Sequence, residues 1–142
     1  MADEIVRRAI EEYFRALSSF DVTAWVETFA PDGETHEPVG SAAHRGHVQL
    51  NEFISKLFQR FDLLQFTADH VFIVGLEAAV KWTGRGIRKG GDPLRIEGID
   101  IFVLKPEEKI QRVDAYWHPA VPERSRTVPP RMNVGIKARL KT

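Results

Sequence analysis

Asp100 is the residue whose position points most directly to chemistry, because it interrupts an apolar strand face. Alternation along 94–104 places it between Gly98 and Phe102, and the opposite face is also apolar, so we expect burial on both sides. An ionised carboxylate there is costly unless it is paired. Two solutions are open: an ion pair with Arg112 of the next strand, or a raised pKa that keeps the acid protonated and able to donate a hydrogen bond.

Glu37 and Tyr13 are two further polar candidates. Glu37 ends an extended segment and precedes the Pro-Val-Gly turn 38–40, so its backbone is restrained while its carboxylate can face a pocket. Tyr13 lies on the apolar face of the first predicted helix, where its hydroxyl needs a partner. From the residues alone, a surface glutamate at a turn and a core tyrosine with a local hydrogen-bond partner are the commoner interpretations.

Three helices followed by four strands must position these side chains. Apolar residues recur with helical spacing over 4–18 and 47–61, and a short helix after Asp21 carries Trp25, Val26 and Phe29 on its inner face before the turn 31–33. Alternating patterns then predict strands over 66–74, 78–88, 94–104 and 110–118. Helices followed by a meander predict an α+β fold whose antiparallel sheet curls around the helices and leaves a pocket.

Composition narrows the classes of function. The 142 residues suit one domain, and the absence of cysteine excludes a disulfide scaffold, a thiolate zinc site and a cysteine nucleophile. Twenty basic and twenty acidic residues give zero net charge, which argues against nucleic-acid binding.

His44 and His47 are spaced like metal ligands but lack an obvious third, so we expect no metal site. With no apolar membrane span and no signal-peptide pattern, we expect a cytoplasmic protein that does not bind membranes.

The charge is distributed unevenly along the chain. Residues 121–142 carry a net charge of +5 and three prolines, whereas 1–120 carry −5. We therefore predict a domain over 1–120 and a basic, proline-containing C-terminal extension over 121–142. The extension could be a solvated or partly disordered end, a phosphate- or nucleic-acid-binding arm, or a segment lying along a partner subunit.

Four segments resemble bacterial ketosteroid isomerases. The segment 29–40, ending Glu37-Pro38-Val39-Gly40, is similar to their catalytic-base region, where an acidic residue precedes Pro-Val-Gly or Pro-Phe-Gly. Residues 98–102 (Gly-Ile-Asp-Ile-Phe) are similar to the family's Ile-Asp strand, and 111–117 to its last strand, which often ends Ala-Tyr-Trp. Residues 13–17 are similar to the first helix with its tyrosine. The resemblance covers roughly residues 5–120.

The resemblance implies the cone-shaped, barrel-like fold shared with nuclear transport factor 2 and the SnoaL-like cyclases. It also implies that Glu37 is the general base, that Asp100 is a protonated oxyanion-hole acid and that Tyr13 is the oxyanion-hole phenol. That family is the established example of a carboxylic acid kept neutral at pH 7 so that it can donate a hydrogen bond. No metal or cofactor is implied, and a homodimer formed through the open sheet face is expected.

The implied function is isomerisation of a 3-oxosteroid-type ketone, in which a double bond moves into conjugation through a dienolate. The substrate would be small and hydrophobic, and an apolar wall would grip it: Phe53, Phe58, Val80, Trp82, Phe102 and Trp117. A SnoaL-like polyketide cyclase, another carbon-acid enzyme and a non-catalytic carrier of hydrophobic ligands are the alternatives. The chain departs from the family by having Glu in place of Asp at the base, and Phe29 and Ile54 where some members have supporting tyrosines.

Overall fold

The computed structural model describes residues 2–118 and 121–122. Three helices and seven strands make up this part of the chain, which confirms the α+β class. The helices are α1 (Ala2–Ser18), α2 (Val22–Glu27) and α3 (Gly46–Gln59). The strands are β1 (Phe29–His36), β2 (His44–Arg45), β3 (Phe61–Val74), β4 (Glu77–Arg88), β5 (Pro93–Leu104), β6 (Ile110–Trp117) and β7 (Val121–Pro122).

The helices form where the apolar spacing predicts them. Helix α1 buries a stripe that includes Ile10, Tyr13 and Leu17 against the sheet. The side chain of Asp21 caps α2 by accepting a 3.0 Å hydrogen bond from the backbone N–H of Ala24, as its position predicts. Helix α3 ends two residues earlier than expected, and β3 begins at Phe61 rather than at residue 66.

The sheet has the strand order β2-β1-β6-β5-β4-β3, with β7 added to β5. The expectation of an antiparallel sheet is wrong for one pair, because β1 runs parallel to β6. No hairpin joins these two strands, so sequence alternation carries no information on their relative direction. The sheet path ends at β2 and β3, so the sheet curves around the helices without closing into a barrel.

The start of β1 differs from the prediction. Phe29 is 1% exposed and opens the strand instead of ending the inner face of α2. The expected turn at 31–33 lies within β1, where the register against β6 shifts between Phe29 and Glu34. A side chain at Gly33 would come within 2.7 Å of the carbonyl oxygen of Ile110, so glycine permits this close approach.

The burial of β5 also differs from the prediction, because only one of its two faces is buried. Gly98, Asp100 and Phe102 are buried on one face, as alternation predicts. The opposite face is not buried in the single chain, where Ile99 is 44% exposed. Asp100 therefore faces the interior between sheet and helices, and the other side of the strand is open.

The C-terminal extension predicted over 121–142 lies outside the described residues except for Val121–Pro122. This pair forms β7 on β5, opposite Leu94 and Arg95. Among the helices of the described chain, none has the length and apolar character that a membrane span needs.

Candidate active site

Pairing of neighbouring strands brings Glu37 and Asp100 to one region of the sheet. Asp100 on β5 lies opposite Ala115 on β6. The carbonyl of Ala115 accepts a 2.8 Å hydrogen bond from the backbone N–H of Val39, two residues after Glu37. The turn that follows β1 is thus fastened beside Asp100, and the two carboxyl groups, distant in sequence, become neighbours.

Both carboxyl groups and the phenol of Tyr13 line a single cavity of about 670 Å³, within the size range of small-molecule sites. Residues of α1, α2 and α3 form one wall of the cavity, and residues of β3, β4 and β5 form the other. The apolar and aromatic lining includes Phe14, Leu17, Trp25, Phe53, Ile54, Leu57, Phe61, Leu64, Phe66, Trp82, Leu94, Ile96 and Trp117.

Glu37 is held by two donors on one oxygen. Its Oε2 accepts hydrogen bonds from the hydroxyls of Thr35 at 2.6 Å and Tyr13 at 3.2 Å. Within residues 2–118, Oε1 accepts none, so its lone pairs are available to a substrate. Burial raises the pKa of Glu37 to about 6, against the lowering effect of the two hydroxyl donors and of His36. A base ionised just below neutral pH suits proton abstraction.

Glu34, three residues earlier and within β1, is a carboxylate with cationic partners and serves as a comparison. Its side chain lies between Arg45, Arg112 and His36. The hydrogen bond from His36 and the charges of both arginines hold the pKa of Glu34 below its ordinary value despite burial. Glu37 has no arginine or lysine partner among the described residues, so the effect of burial dominates and its pKa is raised instead.

Asp100 is 3% exposed and also lacks a cationic partner among the described residues. Its Oδ1 accepts a 2.9 Å hydrogen bond from the indole N–H of Trp82. The ion pair with Arg112 is not formed, because Arg112 bonds to Asp114 and Glu34 instead. Burial, and then the negative charge of Glu37, raise the pKa of Asp100 well above its ordinary value. Burial and the neighbouring charge therefore both favour the protonated form of Asp100.

Tyr13 is 2% exposed, and its ring packs edge-on against Phe102 at a centroid distance of 5.1 Å. Burial, followed by the charges of Glu37 and Asp100, raises the pKa of its phenol well above the usual value. The hydroxyl therefore stays protonated and donates to Glu37. The three residues that the resemblance assigns to catalysis thus line one cavity, in which the Tyr13 hydroxyl donates a hydrogen bond to Glu37.

The residues expected to grip a substrate divide into two groups. Phe53, Trp82 and Trp117 line the cavity. Phe58, Val80 and Phe102 do not: they are buried in the hydrophobic core that supports it. Alternation identifies which side of a strand faces inward, but it does not distinguish a residue at the cavity wall from one packed beneath a helix.

The structure places further residues at or near the cavity that the sequence analysis did not select. Thr35 could have been found, since it lies two residues before Glu37 and so shares its strand face. Trp25 is 1% exposed and lines the cavity, and its indole N–H has no geometrically sound hydrogen-bond partner among the described residues. His47 bonds to the carbonyl of Phe29, and His44 stacks on Phe53. Within the described chain, no three His, Asp or Glu side chains form a group that could hold a metal ion.

The protonation state of Asp100 predicts how stability depends on pH. Because folding raises its pKa above the ordinary value of 3.8, the folded chain keeps a proton that the unfolded chain loses as pH rises above about 4. The Asp100 carboxyl group should therefore lower the free energy of unfolding of the wild type as pH rises. Asp100→Asn, which cannot ionise, should remove this pH-dependent decrease. We expect the free energy of unfolding of the variant, relative to wild type, to increase between pH 4 and pH 7 by up to about 1.4 kcal/mol per pH unit. Urea denaturation at each pH measures the free energy of unfolding of both proteins. A difference between them that does not change with pH contradicts the raised pKa of Asp100.

Comparison with known proteins shows which family the chain belongs to. The model of the SnoaL-like domain matches residues 10–122. No curated protein shows a significant sequence match. Among solved structures, SalBIII, described as an epoxide hydrolase/cyclase-like enzyme in pyran ring formation in polyether salinomycin, superposes with a TM-score of 0.74 at 25% identity, covering 83% of this chain and 95% of SalBIII.

Two further structures share the fold at lower identity. The Δ5-3-ketosteroid isomerase from Mycobacterium sp. has a TM-score of 0.70 at 20% identity, covering 80% of this chain and 93% of its own. The LEH-like epoxide hydrolase from M. tuberculosis has a TM-score of 0.70 at 17% identity, covering 81% and 84%. Because the family model spans most of the sequence and the fold agrees, the chain belongs to the SnoaL-like domain family.

Proposed function

We propose that the protein is an isomerase that moves a carbon–carbon double bond into conjugation with a ketone on a hydrophobic, 3-oxosteroid-type substrate. The observation that carries the proposal is that one largely apolar cavity holds two carboxyl groups, Glu37 and Asp100, with no cationic partner for either among the described residues. Such a pair supplies a base and an acid at the same pH. The apolar lining suits a flat hydrocarbon body.

The first step in this proposal is proton abstraction by Oε1 of Glu37 from the carbon next to the ketone. Electrons move to the carbonyl oxygen, and protonated Asp100 donates a hydrogen bond to the dienolate. Glu37 then returns the proton to the γ carbon, so atoms and charge balance over the cycle. Once Glu37 is protonated, its charge no longer holds the Tyr13 hydroxyl, whose hydrogen can rotate about the Cζ–Oη bond and become a second donor to the oxyanion.

A specific contact favours a second candidate, the opening of an epoxide by a hydroxyl group of the same substrate. Because Tyr13 donates to Glu37 in the free protein, Asp100 is the acid that remains available in the cavity. Glu37 would take the hydroxyl proton, a new C–O bond would form as the epoxide C–O bond breaks, and Asp100 would protonate the leaving oxygen. SalBIII, the 25% identical structure, is described as an epoxide hydrolase/cyclase-like enzyme.

The isomerase proposal predicts the behaviour of Glu37→Gln. Turnover of a β,γ-unsaturated steroid ketone should fall at least about 10²-fold because the base is lost, while equilenin still binds. In wild type, kcat/KM should rise with pH through about 6, where Glu37 ionises. Absorbance of the conjugated product measures both. Glu12→Gln, an exposed change on α1, is the control. Wild type that turns over hydroxy-epoxides but no such ketone contradicts the isomerase and favours the second candidate.

We also propose a homodimer formed through the outer face of the sheet. Ile99 and Tyr116 are register partners on that face and are 44% and 52% exposed, and Phe72 on the same face is 68% exposed. An apolar surface of this kind is typical of an interface. Sedimentation velocity tests the proposal, which a monomer at micromolar concentration contradicts.

A further inference from the structure

The cavity carries opposite chemical groups at its two ends. Apart from Glu37 and Asp100, the charged residues along its lining are Arg60, Arg85 and Arg88. The indole of Trp82 on β4 donates a hydrogen bond to Asp100. Arg88 lies six residues further along β4, on the face that Trp82 also occupies. At ~3.3 Å per residue, this spacing separates the two ends by about 20 Å along the strand. The carboxyl pair therefore lies at one end and an arginine cluster at the other.

Strand register brings Arg60 and Arg88 to the same end of the cavity. Arg60 follows α3 directly and precedes Phe61, the register partner of Arg88. The backbone N–H of Lys89 donates a 3.0 Å hydrogen bond to the carbonyl of Arg60, which ties the two segments. Both arginine side chains are exposed to solvent.

These two guanidinium groups differ from most others in the fold. Arg7, Arg15 and Arg45 each pair with a carboxylate, as do Arg95 and Arg112. Within the described residues, the side chains of Arg60 and Arg88 make no ion pair or hydrogen bond. Arg85 also lines the cavity but has an interaction of its own, so the argument rests on Arg60 and Arg88.

The wall between the two ends is apolar. Leu57, Phe61, Leu94 and Ile96 line it, and β4 contributes Gly84 and Gly86, which have no side chains. A Cβ atom at Gly86 would lie 3.0 Å from the ring of Phe61, so glycine lets this ring lie flat against the strand. A ligand that spans the cavity thus meets carboxyl groups, then hydrocarbon, then two cations.

We propose that the substrate is an amphipathic anion: an apolar body whose reacting end reaches Glu37 and Asp100, and whose other end carries a carboxylate or phosphate held by Arg60 and Arg88. This inference rests on the proposed function and extends it from the reacting group to the substrate class. Guanidinium groups bind both anions through paired N–H donors. An uncharged steroid ketone is then a surrogate that uses only the inner part of the site.

Three fluorescent probes with one ring system test the proposal: 1-pyrenebutanol, 1-pyrenebutyric acid and 1-pyrenebutyl phosphate. We expect wild type to bind at least one of the two anions several-fold more tightly than the alcohol at low ionic strength, and whichever anion binds more tightly identifies the end group. The preference should shrink at 0.5 M salt, since the arginines are exposed. Fluorescence titration of the full chain measures all three dissociation constants.

The variants Arg60→Gln and Arg88→Gln locate the effect. Each should weaken binding of the preferred anion about threefold and leave the alcohol unchanged. Arg8→Gln, an exposed change on α1 that does not line the cavity, should alter neither. Equal affinity for all three probes, or a preference that survives the double variant R60Q/R88Q, overturns the inference and leaves the proposed function intact. If no probe binds, the inference fails, and turnover of the steroid ketone decides separately whether the proposed function stands.

Discussion

The structure depends on the desolvation of two carboxyl groups that share a cavity without a cation beside either. Two ionised carboxylates in a low-dielectric site repel one another and lose their hydration, so one of them keeps its proton. Asp100 is 3% exposed and has the indole of Trp82 as its donor. Glu37 has two hydroxyl donors and retains a moderate pKa. The two environments thus give two carboxyl groups of similar chemistry different affinities for a proton.

The scaffold maintains that division through the packing of four adjacent strands. The turn after Glu37 is bonded to Ala115, and Ala115 faces Asp100 across the sheet. A Cβ atom at Gly98 would lie 2.5 Å from the ring of Trp82 and 2.6 Å from the carbonyl oxygen of Tyr116, so glycine allows the indole to reach Asp100. By contrast, the charge of Glu34 in β1 is neutralised by arginines. The fold therefore leaves the two carboxyl groups in the cavity without a cation and pairs the neighbouring carboxylate of Glu34 with cations.

Much of this arrangement followed from the sequence because it depends on local periodicity. Alternation placed Asp100 on the inward face of β5, and helical spacing placed Tyr13 on the buried face of α1. The parallel pairing of β1 with β6 and the strand start at Phe29 did not follow, since both depend on contacts between segments about 80 residues apart. For the same reason, the sequence left the partner of Arg112 open, and it could not separate Phe102 in the core from Trp117 at the cavity wall.

The most direct test of the account is a carbon-13 NMR titration of the side-chain carboxyl groups in protein labelled at Asp and Glu, with D100N and E37Q used to assign the two signals. The account predicts that the Asp100 carbon keeps the chemical shift of a protonated acid at pH 7, while the Glu37 carbon titrates with a midpoint near 6. An Asp100 signal that titrates near its ordinary value of 3.8 would contradict it.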